Sequence, residues 1–343
     1  MSEHHSMEAA GGNGDLRAVA LSVAALALLP AVFDMSSTYY AGLLHRLLLF
    51  ATLAVALNIV FGHTDQLFLF LGGLAGVGAY TTVLLADSLG VTPWLVFPLS
   101  GVVAGTMGLL VSYVAARRRM TVIVIAILTL SIQLGLHEIF VGARDITGGS
   151  TGTSFDGFAL PVVDLLGVSP AVATYYTILA FLAGVLLLYW RLRNSRFGLA
   201  FTAIRQDEVA SEAAGVDVIR YKVVAGVLAA TIIGLTGALY AHSEGYVFPS
   251  LFTFKAVDVV VLIMLVLGGI RTITGPLLGA ALVVALNELL QGVGQWRTAV
   301  LGALLIVLFL FFREGMVPQA RDALAHERVR TLRRAVRDWR GSD

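Results

Sequence analysis

Cysteine is absent from this 343-residue chain, which excludes a disulfide framework and any thiolate-based zinc or redox site. Lysine is nearly absent: only Lys222 and Lys255 occur, following Tyr221 and Phe254. A phosphate-binding Walker loop needs a Gly-Lys pair, so this chain has none, and any use of ATP falls to another subunit. Charge is scarce as well, at 13% against the roughly 25% typical of soluble domains. No grouping of nucleophile, base and acid stands out, so no catalytic residue is assigned and no enzyme is expected. The adjacent His4 and His5 offer too few ligands for a metal, so neither a metal site nor a cofactor is expected in the chain. A net charge of +1 without a basic nucleic-acid motif suggests no nucleic-acid partner.

What fills the sequence instead is apolar side chains, 58% of it. A helix needs about 20 residues to cross a hydrocarbon core of about 30 Å. Apolar stretches of that order fall at 16–33, 43–62, 71–87, 93–116, 120–142, 171–190, 221–241, 256–270, 275–292 and 297–313. The expectation is an all-α polytopic membrane protein with ten transmembrane helices, eight to ten allowing for the short ones. The lipid bilayer is thus its first partner. Residues 1–16 read as a disordered tail, 17–315 as the membrane domain, and 316–343 as a basic tail in which Leu324, Leu332, Val336 and Trp339 share one helix face. Basic residues fix the sidedness. With both termini cytoplasmic, 19 of them fall inside and four (Arg46, Arg144, Lys255, Arg297) outside. The expected location is therefore the cell membrane, multi-pass.

Two places interrupt the spanning pattern. Gly62-His63-Thr64-Asp65-Gln66 separates two apolar runs, with Gly72 and Gly73 close behind. Irregular backbone at membrane depth survives only where protein or a water-filled cavity satisfies it, so one reading is a broken helix beside a translocation path. The other is a short turn with small residues that let helices pack closely. A second interruption runs from Leu267-Gly268-Gly269 to Gly275-Pro276. Among polar residues inside spans, Thr129, Gln133 and His137 form a stripe at i, i+4, i+8, with Glu138 beside them. Together with Asp65, Gln66, Gly72 and Gly73 they are the candidate path residues. Asp258 and Asn287-Glu288 read as charges at the membrane interface. The long external loop carries Thr147-Gly148-Gly149-Ser150 in a turn-rich setting, either as a solvated connector or as a gate.

Asn194 to Lys222 is the long polar interval within the greasy part. Asn194 or Ser195 suits an N-cap and Gly215 suits the residue that ends a helix, which predicts one helix over 196–214. Phe197, Phe201, Ile204 and Glu208 share a face, so the apolar side chains can fill a partner's groove while Arg205, Glu208 and Glu212 add charge and fix register.

The run SRFGLAFTAIRQDEVASEAAGVDVIRYKVVAGVLAATIIGLTGALYAH resembles the cytoplasmic loop and following span of ABC-importer permeases of the branched-chain amino acid family. The likeness continues through Leu267-Gly268-Gly269, Gly275-Pro276, Leu278-Gly279-Ala280, Thr147-Gly148-Gly149-Ser150 and Gly78-Ala79-Tyr80, in order over about residues 45–315. The resemblance implies a permease without ATPase activity. Its implied partners are a second homologous permease, two cytoplasmic ABC ATPases that bind the ATP, and an extracytoplasmic substrate-binding protein. It also implies that Phe197–Gly215 is the coupling helix seated in the ATPase groove. Two departures concern the substrate. Where members read Gly-Gln-Leu-Ser-Leu-Gly-His, this chain has Asp65-Gln66-Leu67-Phe68-Leu69-Phe70. Leu134 stands where the fifth span usually carries an acid, with Glu138 one turn later. Branched-chain or related small amino acids are the expected cargo; urea or short-chain amides, or a self-sufficient ion-coupled transporter, are the alternatives.

Overall fold

The computed structural model describes residues 2–160, 163 and 167–296, with 299, 300, 302–304, 306 and 315–317 beyond them; side chains of 2–13 and 293–295 are outside the description. The tenth apolar stretch and the basic tail therefore lie largely outside the described residues. Eleven principal helices are described: α1 (Ser2–Val32), α2 (Thr38–Thr64), α3 (Leu71–Leu89), α4 (Pro93–Arg117), α5 (Val122–Gly142), α6 (Pro170–Arg193), α7 (Arg196–Gln206), α8 (Glu208–Ala213), α9 (Val218–Glu244), α10 (Asp258–Gly268) and α11 (Gly275–Leu289). α1 takes in the polar stretch expected to be a tail, and its apolar part is Gly14–Val32.

Seven of these helices are long and apolar enough to cross a membrane. The chain is an all-α polytopic membrane protein, with only a two-residue strand pair, β1 (Thr153–Ser154) on β2 (Tyr246–Val247), among the described residues. Of the other three apolar stretches, 297–313 lies largely outside the described residues, α3 is diluted by small and polar residues, and the third is α10. α10 has 11 residues, about 16 Å at 1.5 Å per residue, and cannot cross alone. Ahead of it runs the irregular segment 245–257, which holds β2 and one 3-10 turn (Pro249–Phe252). α3 is likewise preceded by non-helical residues 65–70.

α2 is the axis of the bundle: 89% of its apolar stretch is buried, against 17% for α5. α9 packs beside it, and on α3 and α4, through small residues. A Cβ on Gly78 would lie 1.9 Å from the carbonyl oxygen of Gly234, and one on Gly237 would lie 1.9 Å from that of Ala75. Those contacts are backbone on backbone, so only glycine fits. Close approach of this kind is how helices associate where lipid supplies no hydrophobic drive.

The bundle has two ends. At one, here the α7 face, lie α7, α8 and the turn 269–274. Asp15 pairs with Arg193 there at 3.1 Å, and Gly315 packs on Gly269. Residues 15 and 315 thus lie on the same face. At the opposite face lie the α3–α4 turn and the folded loop 143–160.

Candidate functional site

The two interrupted crossings meet halfway along α5. The first backbone N–H groups of any helix lack intrahelical partners, and those of α3 open inside the protein, away from water. Asp258, at the start of α10, supplies the acceptors. Its Oδ1 accepts from the Leu71 N–H at 2.6 Å and its Oδ2 from the Gly72 N–H at 3.2 Å. An anion at a helix N-terminus is also favoured by the helix dipole. Gln133, the twelfth residue of α5, accepts from the Gly73 N–H and donates through Nε2 to the Phe252 carbonyl at 2.7 Å. Thr129 accepts from the Leu69 N–H at 2.9 Å and donates to carbonyls of its own helix, Ile125 at 2.9 Å among them. One carboxylate, one amide and one hydroxyl therefore stitch both interrupted segments to α5 and to each other.

This arrangement corrects several sequence expectations. Asp258 is fully buried rather than interfacial, because α10 begins at mid-depth and not at the membrane surface. Thr129 and Gln133 are buried backbone ties, whereas His137 is half-buried and Glu138 exposed. The expected stripe is therefore one polar seam whose lower two members are consumed by structure. Gly72 is required by proximity: a Cβ there would sit 2.5 Å from the Phe252 carbonyl oxygen. Gly73 faces the Leu136 side chain in the same way, at 2.6 Å. The first interruption thus combines a break in the helix at 65–70 with small residues that let neighbouring segments pack closely.

At the α7 face the polar interval folds as two helices. The Ser195 side chain accepts from the Phe197 N–H at 3.2 Å and starts α7. Asp207 is extended (φ −159°, ψ 113°), ends α7, and caps α8 by accepting from the Ala210 N–H at 2.9 Å. Gly215 follows with φ +87°, the left-handed position that suits glycine. A single helix over 196–214 is thus replaced by two. The face assigned to a partner also differs. Phe201 and Ile204 are 1% and 4% exposed, with Phe201 against His63 and Tyr221. Phe197 is half-buried against Tyr221. Glu208 pairs with Lys222 and Glu212 with Arg119, each at 2.6 Å. These residues hold the segment to its own chain. The outward face carries Leu199 and Val209, 69% and 66% exposed, with Thr202, Arg205 and Gln206. Periodicity identifies an apolar face but not which protein buries it.

A polar network runs inward from α7. His63 contacts Phe201 ring to ring and bonds to the Tyr189 hydroxyl at 2.8 Å. Asn58 donates to that hydroxyl at 3.2 Å and to the Thr272 carbonyl at 2.8 Å, and accepts from the Arg271 N–H at 2.8 Å. Arg271 donates to the Gly62 carbonyl at 2.9 Å and faces Asp65 at 3.8 Å. Burial, then the nearby Arg205, pulls the Arg271 pKa below the usual arginine range. Gln66 is buried and donates to the Lys222 carbonyl at 3.0 Å. Asp65 and Gln66 thus belong to this seam at the end of α2. Asn58 and Tyr189 went unremarked in the sequence, and Arg271 was read only as part of a tight cytoplasmic turn; a lone asparagine deep in a span was the available signal for the first.

At the opposite face, Thr147 is buried and donates to the Phe140 carbonyl at 2.7 Å and to that of Ala143 at 2.9 Å, while accepting from the Gly149 N–H. Gly148 and Gly149 turn the chain with φ of +73° and +59°, and Ser150 lies in the short turn that follows. The loop then pairs with 246–247, and the Tyr246 hydroxyl donates to the Thr151 carbonyl at 2.6 Å. The loop is thus folded against the second interrupted crossing, with Thr147, Gly149, Phe155 and Phe158 buried and much of the rest exposed.

A model of the family described as branched-chain amino acid transport system / permease component matches residues 39–312. The chain is 29% identical over 302 residues to the high-affinity branched-chain amino acid transport system permease protein LivM of Salmonella typhimurium, covering 81% of this chain and 69% of the relative. The LivM protein of Escherichia coli matches to the same extent. The probable branched-chain amino acid transport permease protein LivH of Methanocaldococcus jannaschii is 26% identical over 243 residues, 68% of this chain and 75% of the relative. No solved structure matches the chain.

Proposed function

The chain belongs to the branched-chain amino acid transport permease family, and from that premise we propose that it is the transmembrane subunit of an ATP-driven importer of branched-chain or related aliphatic amino acids. The cargo is drawn from the names its relatives carry, and the reading is supported by one structural observation above all. A short two-helix segment is bolted to its own chain on one side and leaves Leu199, Arg205 and Val209 free on the other. That is the form expected of a lever that a soluble partner pushes.

In this reading the α7 face is cytoplasmic, in keeping with 19 of the 23 basic residues. Two ATPases bind the nucleotide, a second homologous permease pairs with this one, and a binding protein delivers cargo to the opposite face. ATP binding draws the α7–α8 segments together; the His63–Tyr189–Asn58 seam passes the movement to the 269–274 turn and so to α10. Because α10 and α3 share Asp258, both interrupted crossings move as one. A ligand can shift such an equilibrium only by its unequal affinity for the two states, and ATP on the partner subunits supplies that inequality.

The test is reconstitution of the chain with its second permease, two ATPases and binding protein in liposomes. Accumulation of labelled leucine that requires internal-face ATP is expected, with labelled urea excluded. Leucine accumulation by the chain alone, driven by an ion gradient, would overturn the proposal.

A further inference from the structure

Arg46 stands eight residues inside α2 from Thr38, about 12 Å along the helix axis. An ionisable residue that deep in a span is by default a functional candidate. Its Nη2 lies 3.4 Å from Glu244 Oε1, longer than the 2.7–2.9 Å of a tight charge-assisted bond. Two cavities meet at this side chain. The one toward the bundle's opposite face, about 190 Å³, is bordered by Tyr39, Glu288 and Gln291. Glu288 there accepts from Gln291 at 2.8 Å and from the Tyr39 hydroxyl. The deeper one, about 240 Å³, is walled by Phe50, Leu251, Val260 and Met264. That is many times the roughly 10–15 Å³ needed to hold one water, room for a small aliphatic side chain. Beneath it, Phe50 and Tyr240 floor a void of only about 10 Å³ that reaches Ala75 and Val257, beside the Asp258 joint. The cleft is closed toward the α7 face.

A cation flanked by carboxylates at the mouth, above an apolar cleft of this size, is complementary to an aliphatic α-amino acid. We propose that this cleft is an outer binding site for the zwitterion, resting on the importer reading above. The α-carboxylate takes the open edge of the Arg46 guanidinium, a planar donor fork suited to carboxylate. The ammonium faces Glu288, which borders the outer cavity, and the side chain descends toward Val260 and Met264. A merely snorkelling Arg46 neutralised by Glu244 would need no apolar cleft below it. An anionic lipid headgroup would meet two carboxylates beside its one cation.

The absence of cysteine allows a clean test. Ser250, on the cavity wall, is changed to cysteine in the full chain, held in phosphatidylcholine nanodiscs, and its maleimide labelling rate is followed. L-Leucine at ten times its Kd is expected to slow labelling about tenfold by occupancy. 4-Methylpentanoate and isopentylamine, each lacking one charge, protect only at higher concentration. Arg46→Gln is expected to weaken leucine about ten- to a hundredfold, the loss of one charged hydrogen bond, and to leave isopentylamine unchanged. No protection by leucine, equal protection in Arg46→Gln, or protection by phosphatidylglycerol in place of leucine overturns the site. Should Arg46→Gln not fold, the ranking of the three ligands on the Ser250→Cys chain decides alone. ATP-driven leucine uptake without protection refutes the cleft only; protection without such uptake refutes the importer reading and leaves the cleft standing.

Discussion

The joint around Asp258 and the anchor of the α7–α8 segment both hold interrupted helices, yet by opposite means. At the joint, side chains bond to backbone N–H and carbonyl groups deep within the bundle, and Asp258, Gln133 and Thr129 are buried. At the anchor, charged side chains bond to one another near the surface, with Arg119 61% and Glu212 33% exposed. Water can replace the second kind of contact and cannot replace the first. The permease can therefore yield at its rim while staying rigid where its crossings break.

The largest test of that contrast is Asp258→Ala. It strands the Leu71 and Gly72 N–H groups without an acceptor, and a buried orphaned donor costs about 1–3 kcal/mol, more where a charge was the partner. A total of about 3–5 kcal/mol is expected, read as a large fall in the thermal midpoint in detergent or as loss of folded protein. Unchanged thermal stability would refute the joint. Next is Gly72→Ala, which drives a methyl to 2.5 Å from the Phe252 oxygen and should cost about 1–3 kcal/mol by overpacking.

α7 offers a comparison within one helix. Phe201→Asp places a carboxylate in a 1% exposed site beside His63, so loss of folded protein is expected, not uncoupling. Leu199→Asp, on the outward face of the same helix, should shift the thermal midpoint by less than about 0.5 kcal/mol equivalent. In the reconstituted importer it should nevertheless abolish leucine uptake while ATP hydrolysis by the ATPases continues. Normal uptake in Leu199→Asp would remove the docking role from this face.

These contrasts also show what the sequence discloses. The apolar runs, the break after Thr64, the cap residues and Gly215 were all legible, since each rests on local chemistry. The cap at Asp207 was not read, although Asp-Glu within a helical run is a possible restart. The depth of Asp258 was not legible at all. It depends on a 13-residue irregular segment, 245–257, entering the bundle, and only long-range packing on Gly72 and Gln133 reveals that. Nor could spacing tell that the apolar face of α7 is buried by α2 and α9, where Phe201 meets His63 about 140 residues upstream and Tyr221 about 20 downstream.

The smallest effect sharpens the contrast from the rim. Glu212→Gln removes one partner of the Arg119 pair, and an exposed ion pair is worth about 0–1 kcal/mol. The stability change should be correspondingly slight and should fade at high salt, because the screening length for exposed charges shrinks from about 10 Å at 0.1 M to about 3 Å at 1 M. Lys222, whose side chain is only 10% exposed in its pair with Glu208, should respond differently. Glu208→Gln leaves that ammonium near-buried and unmatched, so its effect should be larger and persist in salt. Measuring both thermal midpoints at low and high ionic strength separates the two pairs. If both variants respond alike to salt, the α7–α8 segment is held by exposed charge alone, and the graded stiffness from rim to joint is lost.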